Sequence, residues 1–279
     1  MIRDPFKIDG PTCISFSGGR TSAYMLWRVL ESNGGLPDEA VVCFANTGKE
    51  DPLTLRFVQD CSERWATPIR WAEWRSGEPG FAVVDFASAA REGEPFEAML
   101  CELKLVPNAV SRFCTINLKI RTMARYLRSI GFEGTKEQLE NSSWVGFRAD
   151  EPRRVAKIDR ARAPLARAGV TAGDVGAFWK AQPFDLGLPN NNGKTMHGNC
   201  DLCFLKPAAQ VLSLIAEKPS RAVWWARMER EIPALGKTTV MGSVFSLNRP
   251  TYAQMAKFSA DQVAMFDPNE EAIACFCGD

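Results

Sequence analysis

Much that would betray a function is missing from these 279 residues. Histidine occurs once, at His197, and the net charge is only +1, with 34 basic and 33 acidic side chains. So even a balance argues against a protein that coats nucleic acid by bulk charge, while leaving room for a local basic patch. Behind Met1-Ile2-Arg3-Asp4-Pro5 there is no apolar core of signal-peptide length, and no uninterrupted apolar run approaches a membrane span. No internal repeat or low-complexity tract is present, and no linker cuts the chain cleanly. A complete Gly-x-x-x-x-Gly-Lys-Thr phosphate loop is absent too. Its nearest miss, Leu235-Gly236-Lys237-Thr238, has Glu231 in place of the first glycine and reads as an ordinary loop. Cysteine, by contrast, is plentiful. Nine of them, an odd number without an export signal, point to a reducing compartment, where cysteines serve as ligands, nucleophiles or core filler. The expectation is a cytoplasmic protein with no membrane partner, and its 46% apolar and 24% charged content is ordinary for a soluble chain.

Strands and helices alternate through the first third. Residues 13–16 read as a short buried strand and 21–31 as a helix with Ala23, Leu26, Trp27 and Leu30 on one face, stopped at Asn33-Gly34-Gly35. Residues 40–45 form a second, wholly apolar strand. Asp51 then has the character of an N-cap with Pro52 at the first helical position. That helix carries Leu55, Val58 and Trp65, and residues 68–71 make a third strand. Such alternation predicts an α/β fold with a doubly wound, mostly parallel sheet. Further on, residues 81–86 read as a strand or an edge, 95–105 and 115–130 as helices, 131–143 as a polar connection, and Trp144-Val145-Gly146-Phe147 as a short strand. Residues 183–199 are rich in turn formers, and helices are expected at 203–217 and 221–232. The domain expectation is a nucleotide-binding α/β part over 1–160 and a helical, cysteine-bearing C-terminal region over 161–279, packed as one unit.

Between the first strand and the first helix lies Ser17-Gly18-Gly19-Arg20-Thr21-Ser22. A strand, a glycine turn and a helix N-terminus in that order make an anion site: the glycines admit a close approach, and unpaired amides, the helix dipole and two hydroxyls converge. In parallel sheets ligands bind beyond the carboxyl ends of the strands, where this turn and Asn46-Thr47-Gly48 both fall.

The cysteines suggest a second centre. Cys200-Asp201-Leu202-Cys203 puts two thiols on one turn, a spacing suited to a tetrahedral metal or one edge of an iron–sulfur cluster. Cys114 sits among Arg112, Lys119 and Arg121, a neighbourhood that favours thiolate. Cys275 and Cys277 offer a fourth ligand and a further free sulfur. A [4Fe–4S] cluster is the leading reading, with structural Zn2+ and unliganded thiols as alternatives. Cys13, Cys43, Cys61 and Cys101 fall in apolar patterns and read as core filler. His197, close before Cys200, reads as a hydrogen-bonded side chain rather than a substitute ligand, and Trp224 and Trp225 as core. Residues 148–167 are clearly basic, suited equally to a polyanion such as nucleic acid and to a solvated face.

The strand and Ser-Gly-Gly-Arg-Thr-Ser together resemble the PP-loop of the adenine nucleotide alpha-hydrolase superfamily, in its phosphoadenosine phosphosulfate (PAPS) reductase branch. Three further stretches are similar to that branch: Phe44-Ala45-Asn46-Thr47-Gly48-Lys49-Glu50, Arg112-Phe113-Cys114-Thr115 followed by Lys119, and Gly146-Phe147-Arg148-Ala149-Asp150-Glu151. They cover roughly the first 155 residues in order. Thr21 stands where many PP-loops carry Asp, and the Glu-Cys-Gly-x-His segment of assimilatory reductases is missing from a chain that ends Cys-Phe-Cys-Gly-Asp.

The resemblance implies an adenine-nucleotide-dependent enzyme of sulfur chemistry, with a four-cysteine cluster as in DNA-phosphorothioation sulfurtransferases. ATP or PAPS would lie on residues 17–22 with Mg2+, beside Asn46, Thr47 and Gly48, with Arg20, Arg112, Lys119 and Arg148 holding anionic groups. A sulfur donor or a thiol or electron donor would be the other partner. The reactions implied are adenylation followed by sulfur transfer or, alternatively, reduction of PAPS or adenylyl sulfate to sulfite. A non-catalytic nucleotide or redox sensor that binds DNA is the third reading. Oligomeric state is left open.

Overall fold

The computed structural model describes residues 4–191, 194–198, 200–236 and 242–261. Its centre is a four-stranded sheet in the order β1 (Thr12–Ser15), β2 (Ala40–Asn46), β3 (Ile69–Trp74) and β4 (Phe81–Val84). The first three run parallel, Thr12 opposite Ala40 and Val42 opposite Ile69, while β4 closes the edge antiparallel. On the free side of β1, Ser15 donates to the Trp144 carbonyl at 2.9 Å and Trp144 to that of Cys13 at 2.7 Å. The Trp144 segment thus extends the sheet beyond β1 by a single bridge. The chain moves one way from β1 to β2 and β3, then returns to β1's other side. That reversal makes a crevice at the ends of β1 and Trp144, the kind of place where open α/β sheets bind ligands.

Alternation along the strands dresses both faces. Ile14, Phe16, Val42 and Phe44 face α1 (Arg20–Asn33) and α2 (Pro52–Arg64), whose Leu26, Val29, Leu55 and Val58 are buried against them. Each of these side chains contributes about 2 kcal/mol by leaving water. The residues between, Cys13, Cys43 and Ala45, face Met123, Tyr126 and Leu127 of α4 (Thr122–Ser129). Asp51 caps α2 as its sequence predicts, accepting from Leu53 N at 2.9 Å with Pro52 next. A second core joins α3 (Glu94–Leu103) to α9 (Ala208–Glu217), α10 (Arg221–Glu231) and α11 (Tyr252–Asp261) through Phe96, Trp225, Phe245 and Tyr252. The mixed α/β class is therefore observed, as is burial of Trp224 and Trp225.

Several local expectations are corrected. The single helix expected over 115–130 is a π-helix at Thr115–Arg121 that becomes α-helical at Thr122. The polar connection over 131–143 holds α5 (Lys136–Glu140), fixed by a Thr135–Gln138 capping box. After α6 (Pro152–Val155), α7 (Pro164–Arg167) and α8 (Ala172–Ala181), the turn-rich stretch contains a two-strand ribbon, β5 (Asn190–Asn191) with β6 (Lys194–Thr195). The helix expected from 203 begins only at Ala208, because Pro207 takes the N-cap position. Cys101, expected in the core, is exposed, whereas Cys13, Cys43 and Cys61 are buried. Among the described residues no helix is long and apolar enough to cross a membrane.

Candidate functional site

The turn between β1 and α1 is held from within. Ser22 Oγ accepts from Ser17 N at 3.1 Å, lies 3.0 Å from Ser17 Oγ and donates to the Gly19 carbonyl at 2.9 Å. Gly19 is the N-cap of α1 and has no side chain with which to bond the first-turn amides. Those amides therefore receive no cap from Gly19, and although Arg20, Thr21 and Ser22 are buried, Ser22 reaches the cleft, an arrangement suited to an anion there. Gly18 has a different role from the one its sequence suggests. With φ at +81°, a Cβ there would meet Thr54 Cγ2 at 2.5 Å and Phe44 Cε2 at 3.3 Å. Its missing side chain makes room for the protein interior rather than for a ligand. Gly146 is the glycine that guards the helix start, since its Cβ would lie 3.2 Å from Ser22 Cα.

A cleft of about 470 Å³ opens beside this turn, within the usual range for a small-molecule site. Ser17, Ser22 and Gly146 line it together, while Arg112, Thr115 and Lys119 enter from the segment leading into and forming the π-helix. Ile116, Ile120, Val145 and Ile158 supply apolar wall, and Lys157, Arg162 and Glu140 reach its lining as well. π-Helical turns are frequent at functional sites because they shift side chains out of helical register.

The other residues expected at the nucleotide are distributed differently. Arg20 is turned away: its Nε donates to Asp185 Oδ1 at 2.7 Å, Nη2 pairs closely with Asp185 Oδ2, and Nη2 also donates to the Leu188 carbonyl. The Trp179 indole fixes Arg20's own carbonyl at 2.9 Å. An arginine so engaged and 8% exposed is not offered to a phosphate on the loop. Burial would raise the Asp185 carboxyl, but Arg20 and the amides of Leu186 and Gly187 hold it below its ordinary value. Arg148 donates from Nη1 to Thr21 Oγ1 at 3.1 Å and from Nε to Asp150 at 2.9 Å. Thr21 is thus held by the arginine of the Gly-Phe-Arg turn. Asn46, Thr47 and Gly48 do not line the cleft; Ala45 does. Asn46 Nδ2 instead donates to Glu73 at 2.6 Å and to the Ala90 carbonyl.

Thr47 leads to the cysteines. A small pocket of about 20 Å³ is lined by Cys114, Cys200 and Cys203 together with Thr47, Thr115 and Lys119. Cys200 Sγ lies 3.5 Å from Thr47 Oγ1, and the Cys200 backbone bridges to Glu50. Lys49 Nζ meets Asp201 Oδ2 at 3.1 Å, and Asp201 N donates to the Lys49 carbonyl at 2.7 Å, fastening the two turns together. Burial pushes the Cys200 thiol well above its ordinary pKa, with Glu50 adding to the rise and Lys119 opposing it. Glu50 is raised as well, by burial first, against Lys119 and the Thr47 hydrogen bonds. Sequence reasoning quoted Glu50 without giving it a role; only the fold brings its carboxylate to within 3.9 Å of Lys119.

Three thiols on one pocket form a donor set suited to iron–sulfur or zinc chemistry. No group of three His, Cys, Asp or Glu among the described residues is drawn together at metal-holding geometry. Cys275 and Cys277 lie outside the described residues. His197 sits 2.6 Å from Glu217 Oε2, as a hydrogen-bonded side chain.

Comparison with known proteins finds similarity to the "Uncharacterized nin region protein ORF290" of Escherichia phage lambda, 32% identical over 206 residues, which cover 71% of this chain and 67% of that protein. No family model matches the sequence. No solved structure matches it either.

Proposed function

The chain belongs to the family of the phage lambda nin region protein ORF290; from its own residues and cleft we propose that it is an adenine-nucleotide-dependent enzyme of sulfur chemistry, PAPS-reductase-like in its sheet and PP-loop. One observation carries the reading: the cleft beside the loop and the pocket lined by three cysteines share a wall, with Thr115 and Lys119 facing both. Sulfur chemistry coupled to a nucleotide needs that adjacency, because the sulfur and the activated phosphate must meet without crossing solvent.

In this reading the α1 amides and the hydroxyls of Ser17 and Ser22 bind the phosphates of ATP, with Mg2+ offsetting charge. Arg112 and Lys119 hold the anionic groups, and Arg148 orients Thr21 at the helix start. An acceptor oxygen attacks the α-phosphorus and the bond to the β-phosphate oxygen breaks, releasing pyrophosphate. The terminal sulfur of an external persulfide then attacks the carbon that bears the adenylylated oxygen and AMP leaves; a second external thiol attacks the donor's inner sulfur, the S–S bond breaks, and the thiolated product departs with the donor left as a disulfide. Cys114, Cys200 and Cys203 would hold an iron–sulfur cluster, or zinc in its place. The chemistry such a group would supply is storage of sulfur or electrons beside the nucleotide. A second reading, reductive cleavage of PAPS or adenylyl sulfate to sulfite, is favoured by the cleft's four cations, Arg112, Lys119, Lys157 and Arg162, against one acid, Glu140. That excess suits a ligand with more than one anionic group.

Calorimetric titration with ATP and with adenosine 3′,5′-bisphosphate tests the reading. Lys119→Ala should weaken the preferred nucleotide about tenfold, the loss of one charge-assisted hydrogen bond worth about 1.5 kcal/mol. Ser17→Ala, which removes a neutral hydroxyl at the cleft, should weaken it by a smaller factor. Failure of the wild-type protein to bind either nucleotide would overturn the proposal. Iron and zinc content after anaerobic purification tests the cysteine site; a colourless, zinc-loaded protein would remove the cluster.

A further inference from the structure

The basic stretch after the Gly146 turn separates into two sets once its side chains are located. Arg148, Arg154 and Arg162 are turned inward. Arg154 pairs with Glu151 at 2.5 Å and lies 4.2 Å from the centre of the Phe147 ring, while Arg162 donates to the Ser143 carbonyl at 3.0 Å. Arg153, Lys157 and Arg160 are exposed. Arg153 and Arg160 have no ion-pair partner among the described residues. Asp159, the one acid between them, has an oxygen occupied in capping the Ala161 amide at 2.9 Å. Arg153 lies on α6, and Lys157 lies in the turn that follows it, where its amide donates to the Arg154 carbonyl at 3.1 Å. Lys157 also lines the cleft, so the segment that carries these exposed cations borders it.

We propose that Arg153, Lys157 and Arg160 form a docking track for the sugar–phosphate backbone of a nucleic acid, on the segment that borders the cleft. A row of exposed cations with so little acid beside it gains most from a ligand whose charges repeat along a chain. The near-neutral whole molecule leaves no general attraction to do this work, so the effect belongs to the row. The contacts reach phosphates only, so binding is insensitive to base sequence. The track stands independently of the nucleotide reading; that reading adds only that the bound strand would present an acceptor atom to the cleft.

Fluorescence anisotropy of labelled 20-mers, as single-stranded DNA, single-stranded RNA and duplex DNA in parallel, provides the test. Three phosphates neutralised give a log–log salt slope of about −2 for single strands and about −3 for a duplex. Affinity should then fall about 20- to 40-fold between 50 and 200 mM NaCl. Which arm binds best identifies the kind of strand. The Arg153→Ala/Arg160→Ala variant should lose at least about tenfold in affinity and flatten the slope by about one to two units, with ATP binding unchanged. Arg56→Ala/Arg64→Ala, which removes two exposed charges from α2, should bind as the wild type does. Equal losses in the two variants, an unchanged affinity in the first, or displacement of the oligonucleotide by polyglutamate at equal charge would each overturn the track. Wild-type protein that binds oligonucleotide but no ATP would overturn the nucleotide reading and leave the track standing.

Discussion

Replacing Gly18 by alanine should unfold the protein more easily, and its cost can be divided in advance. At φ +81° any L side chain is strained, by about 1–2 kcal/mol. The new methyl would also sit 2.5 Å from Thr54 Cγ2, a buried group, and overpacking of that kind costs about 1–3 kcal/mol. The sum is about 2–5 kcal/mol. Thr54→Ser removes the offending methyl and by itself should cost about 1 kcal/mol. In the double variant the clash is gone and only the backbone term remains, so the two changes should couple favourably by about 1–3 kcal/mol. Urea denaturation of the four proteins measures this, provided the slope m is common to all. If the two single effects simply add within about 0.5 kcal/mol, the packing argument fails. If Gly18→Ala keeps full stability and loses only nucleotide affinity, the glycine serves the ligand after all.

Two further predictions concern ion pairs with one buried partner. Asp201→Asn strands the Lys49 ammonium, only 7% of whose side chain is exposed, and should cost about 3–5 kcal/mol. Adding Lys49→Met should recover part of that loss, and a double variant no more stable than the single one would refute the pairing. Asp185 titrates below its ordinary value of 3.8 in the folded protein, so its stabilising effect is complete above that value and fades as pH falls through the lower folded pKa. Asp185→Asn should therefore be less stable than the wild type at pH 6, with the gap closing toward pH 3. A gap that stays constant across this range, followed by urea midpoints, would show that the carboxylate's charge is not what Arg20 uses.

What the residues announced and what they concealed differ in kind. The β1–α1–β2–α2–β3 run was legible because its signals are local: apolar strands, a helical stripe, an Asp-Pro start. The convergence of Cys114 with Cys200 and Cys203 was legible as chemistry, although nothing in the spacing says that Thr47 and Lys119 complete their pocket. The π-helix was hidden, because a short apolar pattern does not distinguish 3.6 residues per turn from a wider one. Arg20 misled for a related reason. Its position in the loop suggests a phosphate, but its partner Asp185 lies 165 residues away and leaves no trace in the neighbouring sequence. Asn46, Thr47 and Gly48 were placed at the C-terminal end of β2; Glu73, arriving from β3, and Glu50, three residues on in the same turn, determine which way the Asn46 and Thr47 side chains turn.

The fastening of Lys49 and Glu50 to the Cys200–Asp201 turn also bears on the order of assembly. Thr47 and Cys200 are 153 residues apart, so their meeting closes one of the long loops of the chain and carries the entropy cost of doing so. A ribosome delivering the protein from its N-terminus releases the sheet strands β1 to β4 well before the thiols that complete the pocket. Until then Lys49 has no Asp201, and the apolar side of α3 has neither Trp225 nor Phe245 to cover it. The thiol pocket is accordingly a late product of folding, and its formation records that the two ends of the molecule have met.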